Sequence, residues 1–143
     1  MYPTCGDTRP ETGDNLKIVT LIARILLGLI FFVFGLNGFL HFIPSGPLPT
    51  GLAGQFAAAL FQSHYILFVS ACQTIGGLLV LINRYAVLGL VILGPILVNI
   101  LLFHALLLHA GWPIGTFASI LWLVLAYHAR RHLAGIFAPR MEA

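Results

Sequence analysis

The chain of 143 residues is 59% hydrophobic and only 8% charged, with a mean hydropathy of +1.00. Soluble domains carry about 25% charged residues, so a water-soluble globule is excluded. The pI is near 9.2, yet the seven basic residues stand singly or in one pair, a pattern that orients membrane proteins and does not bind nucleic acid.

Residues 1–15 are polar, broken by Pro3, Gly6, Pro10 and Gly13, and are expected to lack regular structure. Asp7, Glu11 and Asp14 lie in this tail, whereas a secretory n-region is basic. The apolar run that follows also exceeds the 7–15 residues of an h-region, so cleavage is not expected even though Ala57-Ala58-Ala59 offers a small-residue site.

The first span is predicted from about Leu16 to Ile43. Its centre, Ala23 to Pro44, carries one cation, Arg24, glycines at 28, 35 and 38, then Asn37 and His41 before the proline. About 20 apolar residues cross a hydrocarbon core of ~30 Å as a helix, and polar groups within it need protein or interfacial partners. Pro44, Gly46, Pro47, Pro49 and Gly51 make a stiff, uncharged connection. Leu52–Ser63 is predicted to be a short amphipathic helix at the interface or over the bundle.

The second span is predicted over Tyr65–Ile82, with Ser70, Gln73, Thr74 and Gly77 on one face for a close helix contact. Asn83-Arg84-Tyr85 makes a turn. The third span, Ala86–Leu108, contains Gly94-Pro95, which removes a backbone hydrogen bond and predicts a kink. After His109–Pro113 a fourth span runs from Ile114 to about His128. The predicted fold is all-α: a polytopic antiparallel bundle of four transmembrane helices over residues 16–138, between tails at 1–15 and 139–143. All seven basic residues then fall on one side and the opposite loops contain no Lys, Arg, Asp or Glu. By the positive-inside rule both termini are cytoplasmic.

The outward side collects His41, His64, His104 and His109, together with Asn37, Gln55, Gln62 and Asn99. Histidine ligates haem iron or chlorophyll magnesium, donates to a quinone carbonyl, or moves protons. The plainer alternative is interfacial rings bonded to water, Tyr65 or loop carbonyls, since no HxxxH spacing is present. His104, among apolar neighbours, is the foremost candidate. Arg24 has no intramembrane acid to pair with. It either snorkels to phosphate or helix-end carbonyls, or clamps an anion or quinone headgroup. Asn99, one turn past Pro95, serves either as helix-packing glue near the freed Val91 carbonyl or as a ligand contact. Cys72 reads as a small apolar filler, and no CxxC pair exists. With every acid in the terminal tails, paired carboxylates are missing, and no nucleophile stands with a base, which argues against a hydrolase or transferase working alone.

The segments Arg24-Ile25-Leu26-Leu27-Gly28, Phe31-Phe32 and Gly35-Leu36-Asn37-Gly38 resemble the DoxX family, as do Gln73–Leu81 and Gly94–Ile100. The resemblance spans nearly the whole chain from Lys17. It implies a four-helix integral protein of a bacterial inner membrane. Relatives include the membrane subunit of thiosulfate:quinone oxidoreductase and partners of redox enzymes. Many members carry a lysine shortly after the glycine matching Gly35; here that stretch reads Leu36-Asn37-Gly38, so Arg24 is the polar site that carries over. The implied function is an accessory, non-catalytic subunit beside other membrane subunits of a redox or energy-transducing complex. The alternatives are a quinone-interacting oxidoreductase component and a small transporter or lipid-handling protein. Quinone, haem and a chlorophyll-type pigment are the cofactors considered, with His104, His41, Asn99, Asn37 and Arg24 as the candidate contacts.

Overall fold

The computed structural model describes residues 12–44 and 46–135, and the predictions made for residues 1–11, Ser45 and 136–143 lie outside them. Every regular element among the described residues is helical: α1 (Thr12–Leu40), α2 (Gly51–Gln62), α3 (Tyr65–Leu81), α4 (Ala86–Leu102), α5 (Trp112–His128) and α6 (Arg130–Ala134). A wider π-helical segment, Phe103–Leu108, continues α4.

The first helix begins at Thr12, four residues before the predicted start, and so takes in part of the tail expected to be irregular. Asp14 lies in its first turn, where a carboxylate complements the helix dipole, and accepts a hydrogen bond from Lys17 Nζ at 2.9 Å. The helix ends at Leu40 and not Ile43, because His41 adopts a left-handed conformation with φ 52°. The His41 amide closes on the Asn37 carbonyl at 2.9 Å, and Pro44 disfavours further helix just beyond. The other predicted helices shift by a residue or two at their ends.

α1, α3, α4 and α5 pack in a closed antiparallel ring, each against the next and α5 back on α1. Leu27, Val80 and Leu93 are fully buried at its centre, with Phe31, Leu97 and Leu121 around them. The tightest contact is α1 against α3. A methyl group added at Gly77 would lie 2.5 Å from the Phe32 amide nitrogen, and one at Gly35 would lie 2.5 Å from that of Thr74. Only hydrogen fits at these positions. The predicted small-residue face of α3 is thus the packing face, with one amendment: Ser70, Thr74 and Gly77 meet α1, whereas Gln73 lines cavities.

α2 meets α3 at 84° and braces the π segment, where the Phe56 and Phe103 rings lie 5.8 Å apart. α4 continues through Pro95. The π segment follows it, and its last turn closes with the His109 amide on the His104 carbonyl at 2.8 Å. Gly94 leaves room for Trp122 of α5, whose indole Nε1 donates to the Leu90 carbonyl at 2.9 Å. Two helices, Gly13–Leu40 and Ala86–Leu108, are long and apolar enough to cross a membrane, or up to three if the bent pair α2–α3 counts as one span. α5 is apolar but shorter, at 17 residues.

The α1–α3 contact sets a first test. Gly77→Val should destabilise the protein by about 1–3 kcal/mol, as overpacking does, read as thermal unfolding in neutral detergent. Gly13→Val, at a site with nothing within 4 Å, should leave the transition in place.

Candidate functional site

Helix ends account for most of the histidines. His41, His64 and His109 all have positive φ, at 52°, 59° and 55°. Each stands where a helix stops or starts, and histidine is among the non-glycine residues that tolerate this region. Their shared position in the fold follows from shaping the corners of the chain.

His104 differs. It lies in the π segment, half-buried, with its ring at 87° to that of Phe103 and 5.5 Å away. Its Nδ1 lies 2.7 Å from the Ile100 carbonyl oxygen. A carbonyl only accepts, so Nδ1 carries the proton of this bond, and in the neutral Nδ1–H tautomer the lone pair stands at Nε2. The plainer reading of the sequence, a ring bonded to a protein carbonyl, describes the Nδ1 side of His104.

Two cavities meet at this ring. One, of about 520 Å³, lies among α1, α3, the π segment and α5, and is lined by Asn37, His41, Ser70, Gln73 and His104 amid apolar side chains. The other, of about 660 Å³, lies beneath α2 between α3 and α4, with Tyr65, Cys72, Gln73, Asn99 and His104 on its wall. His41 and His104, on the first and third predicted spans, therefore share one cavity, and Asn99 borders the neighbouring one. Asn37 is occupied: its Oδ1 accepts from the Ile43 amide at 2.6 Å and its Nδ2 faces the Ile43 carbonyl at 3.4 Å. That amide holds the turn after α1.

Gln73 is the residue that sequence reasoning assigned elsewhere. It lines both cavities beside His104, and its amide makes no hydrogen bond among the described residues. Its position in the α3 pattern carried the signal. Ser70, Thr74, Gly77 and Leu81 form the seam against α1, which turns position 73 to one side of it.

Arg24 sits at the other end of the bundle, half-buried, with Nη1 donating to the Leu81 carbonyl at 3.1 Å. It is thus bonded to a helix-end carbonyl, one of its two expected fates, and stands apart from the histidines. Among the described residues no three His, Cys, Asp or Glu side chains group as a metal cradle.

The fit to the cofactors considered differs between them. Axial ligation by His104 would set a metal about 2 Å from the nitrogen. The Gly111 backbone crowds that edge, since a methyl there would meet Nε2 and Cδ2 at 3.0 Å. A haem or chlorophyll macrocycle on Nε2 would have to displace the 109–111 turn, and the site does not fit one.

His104 is predicted to show the Nδ1–H tautomer in imidazole nitrogen NMR of the protein in micelles; an Nε2–H signal would contradict the assignment. His104→Ala should cost about 0.5–1.5 kcal/mol of stability, the net worth of an ordinary hydrogen bond.

Comparison with family models, with curated proteins and with solved structures gives no match to this chain.

Proposed function

We propose that the chain is a DoxX-like membrane protein of a bacterial inner membrane whose four longer helices all span the bilayer, acting as an accessory subunit of a redox or energy-transducing complex. Interfacial aromatic residues support the four-span reading. Tyr65 and Trp112 begin α3 and α5 at one end of the bundle, while Tyr85 immediately precedes α4 and Tyr127 lies near the end of α5 at the other. All four are exposed, as residues at a membrane–water boundary are. A helix of 17 residues rises about 26 Å, slightly less than the hydrocarbon thickness. Local thinning accommodates that difference at modest cost. Lys17, Arg24, Arg84, Arg130 and Arg131 all belong to the Tyr85 end, which is then cytoplasmic.

The observation that carries the accessory role is Asn99. It lies well inside α4, exposed, beside a groove of about 460 Å³ formed with Phe56, Pro95, Val98, Leu102 and Leu106. Its amide makes no hydrogen bond among the described residues. Hydrocarbon offers it none either, and interhelical amide bonds are worth about 0.6–1.7 kcal/mol in membranes. A neighbouring membrane subunit that presents a polar group supplies the missing partner.

A second reading, a quinone-interacting component, has its own support in the paired cavities at His104 and Gln73. The Nε2 lone pair accepts from the hydroxyl of a reduced quinone, and the Gln73 amide both donates and accepts.

Purification in mild detergent separates the two. The accessory reading predicts a partner protein in stoichiometric amount, with association weakened about fivefold by Asn99→Leu, as the loss of ~1 kcal/mol implies. A lone chain with quinol-dependent turnover would overturn it.

A further inference from the structure

The cytoplasmic end of the bundle holds a cavity that neither reading uses. It encloses about 660 Å³ between the ends of α1, α3 and α5 and the start of α4. Thr20, Arg24, Asn83, Tyr85, His128 and His132 supply its polar wall, while Val80, Leu88, Leu90 and Leu125 supply an apolar one. Among the described residues, three nitrogen-bearing side chains beside Arg24, and no carboxylate, border this space.

Arg24 is a cation within an otherwise apolar stretch of α1. Its one described bond goes to a neutral carbonyl, which leaves most of its five N–H donors and its charge without a partner among the described residues. The nearest described carboxylate in sequence, Asp14, is engaged with Lys17 through a 2.9 Å contact. A half-buried cation of this kind calls for an anion. The planar guanidinium suits two oxygens of a phosphate. His128 and His132 are four residues apart on consecutive helical segments, so both rings reach the same space. The amides of the first turn of α4, which has no side-chain cap, add positive potential at the rim.

We propose that this cavity binds a phosphate-bearing anion, and that the anion is the headgroup of an acidic glycerophospholipid of the inner leaflet. The apolar wall argues for the lipid over free phosphate. The apolar side chains of Val80, Leu88, Leu90 and Leu125 line the space beside its polar groups, and Leu88 is exposed at its edge, a mixed wall that suits a headgroup carrying an acyl chain better than an inorganic ion. The inference needs only the membrane setting and the orientation of the bundle, not the identity of any partner subunit.

The test is lipid retention by the purified full chain. Protein is transferred from nanodiscs holding equal phosphatidylglycerol and phosphatidylcholine into neutral detergent, and bound lipid is counted by native mass spectrometry. One phosphatidylglycerol per chain should survive. Arg24→Gln should lower its retention about tenfold or more, the loss of a charge-assisted bond, and Arg24→Lys should restore part of it. His132→Gln, on the exposed short helix α6, should weaken retention without disturbing the fold and keeps the test open if Arg24→Gln unfolds. Arg130→Gln removes a cation that lies over the Tyr127 ring, 4.4 Å from its centroid, outside the cavity, and should change nothing. Displacement of the lipid by millimolar inorganic phosphate, lost in Arg24→Gln, would support the phosphate site and reassign its ligand to the free ion. Equal retention of the two lipids, or retention indifferent to both Arg24→Gln and His132→Gln, would overturn the proposal.

Discussion

The approach of α1 to α3 is the constraint from which the rest of the bundle follows. In a bilayer no hydrophobic force drives helices together, so packing and close backbone approach must do so. Hydrogen at positions 35 and 77 allows the two backbones to meet at distances that any side chain would forbid. The same seam fixes what lies at its ends. At one, Arg24 comes beneath the last carbonyl of α3; at the other, Asn37 and His41 come over the start of α3 and into the cavity that His104 borders.

Polar side chains inside the bundle divide into two kinds. Thr20, Thr74 and Ser119 bond back to carbonyls four residues earlier, Trp122 crosses to Leu90, and Asn37 closes its own loop. These are structural and self-contained. Gln73, Asn99, Nε2 of His104 and most of the Arg24 guanidinium are not consumed in this way. An unmet polar group costs most where water is scarce, so these four positions are where a ligand or a second protein has most to contribute. The three proposed interactions fall there for that reason.

Much of the helical plan was legible in the sequence because apolar runs and glycine-proline breaks are local signals. The small-residue face of α3 and the carbonyl bond of Arg24 were legible too, since each follows from one residue type in one setting. Other features depend on tertiary geometry. Four histidines on one predicted side read as a cluster, yet three of them shape helix ends through left-handed backbone. Asn37 read as a cavity residue, and its cavity position is real, but Ile43 folds back to occupy its amide. The π segment follows no sequence period, and it alone sets which way His104 turns. Gln73 differs from Thr74 by one position, and the exact line of the α1–α3 seam decides which of them meets the helix and which the cavity.

The central claim is that all four longer helices cross the membrane with the cationic ends inside. α5 carries most of the risk, because at 17 residues it falls short of a crossing by itself and, unlike α3, has no bent partner helix to extend it. Single cysteines at positions 47, 84, 111 and 135, in a Cys5→Ser/Cys72→Ser background, can be probed in intact cells with a membrane-impermeant maleimide. Labelling at 47 and 111, with protection at 84 and 135 until the cells are opened, is the predicted result. Positions 111 and 135 reacting alike would mean that α5 does not cross, and would contradict the four-span arrangement.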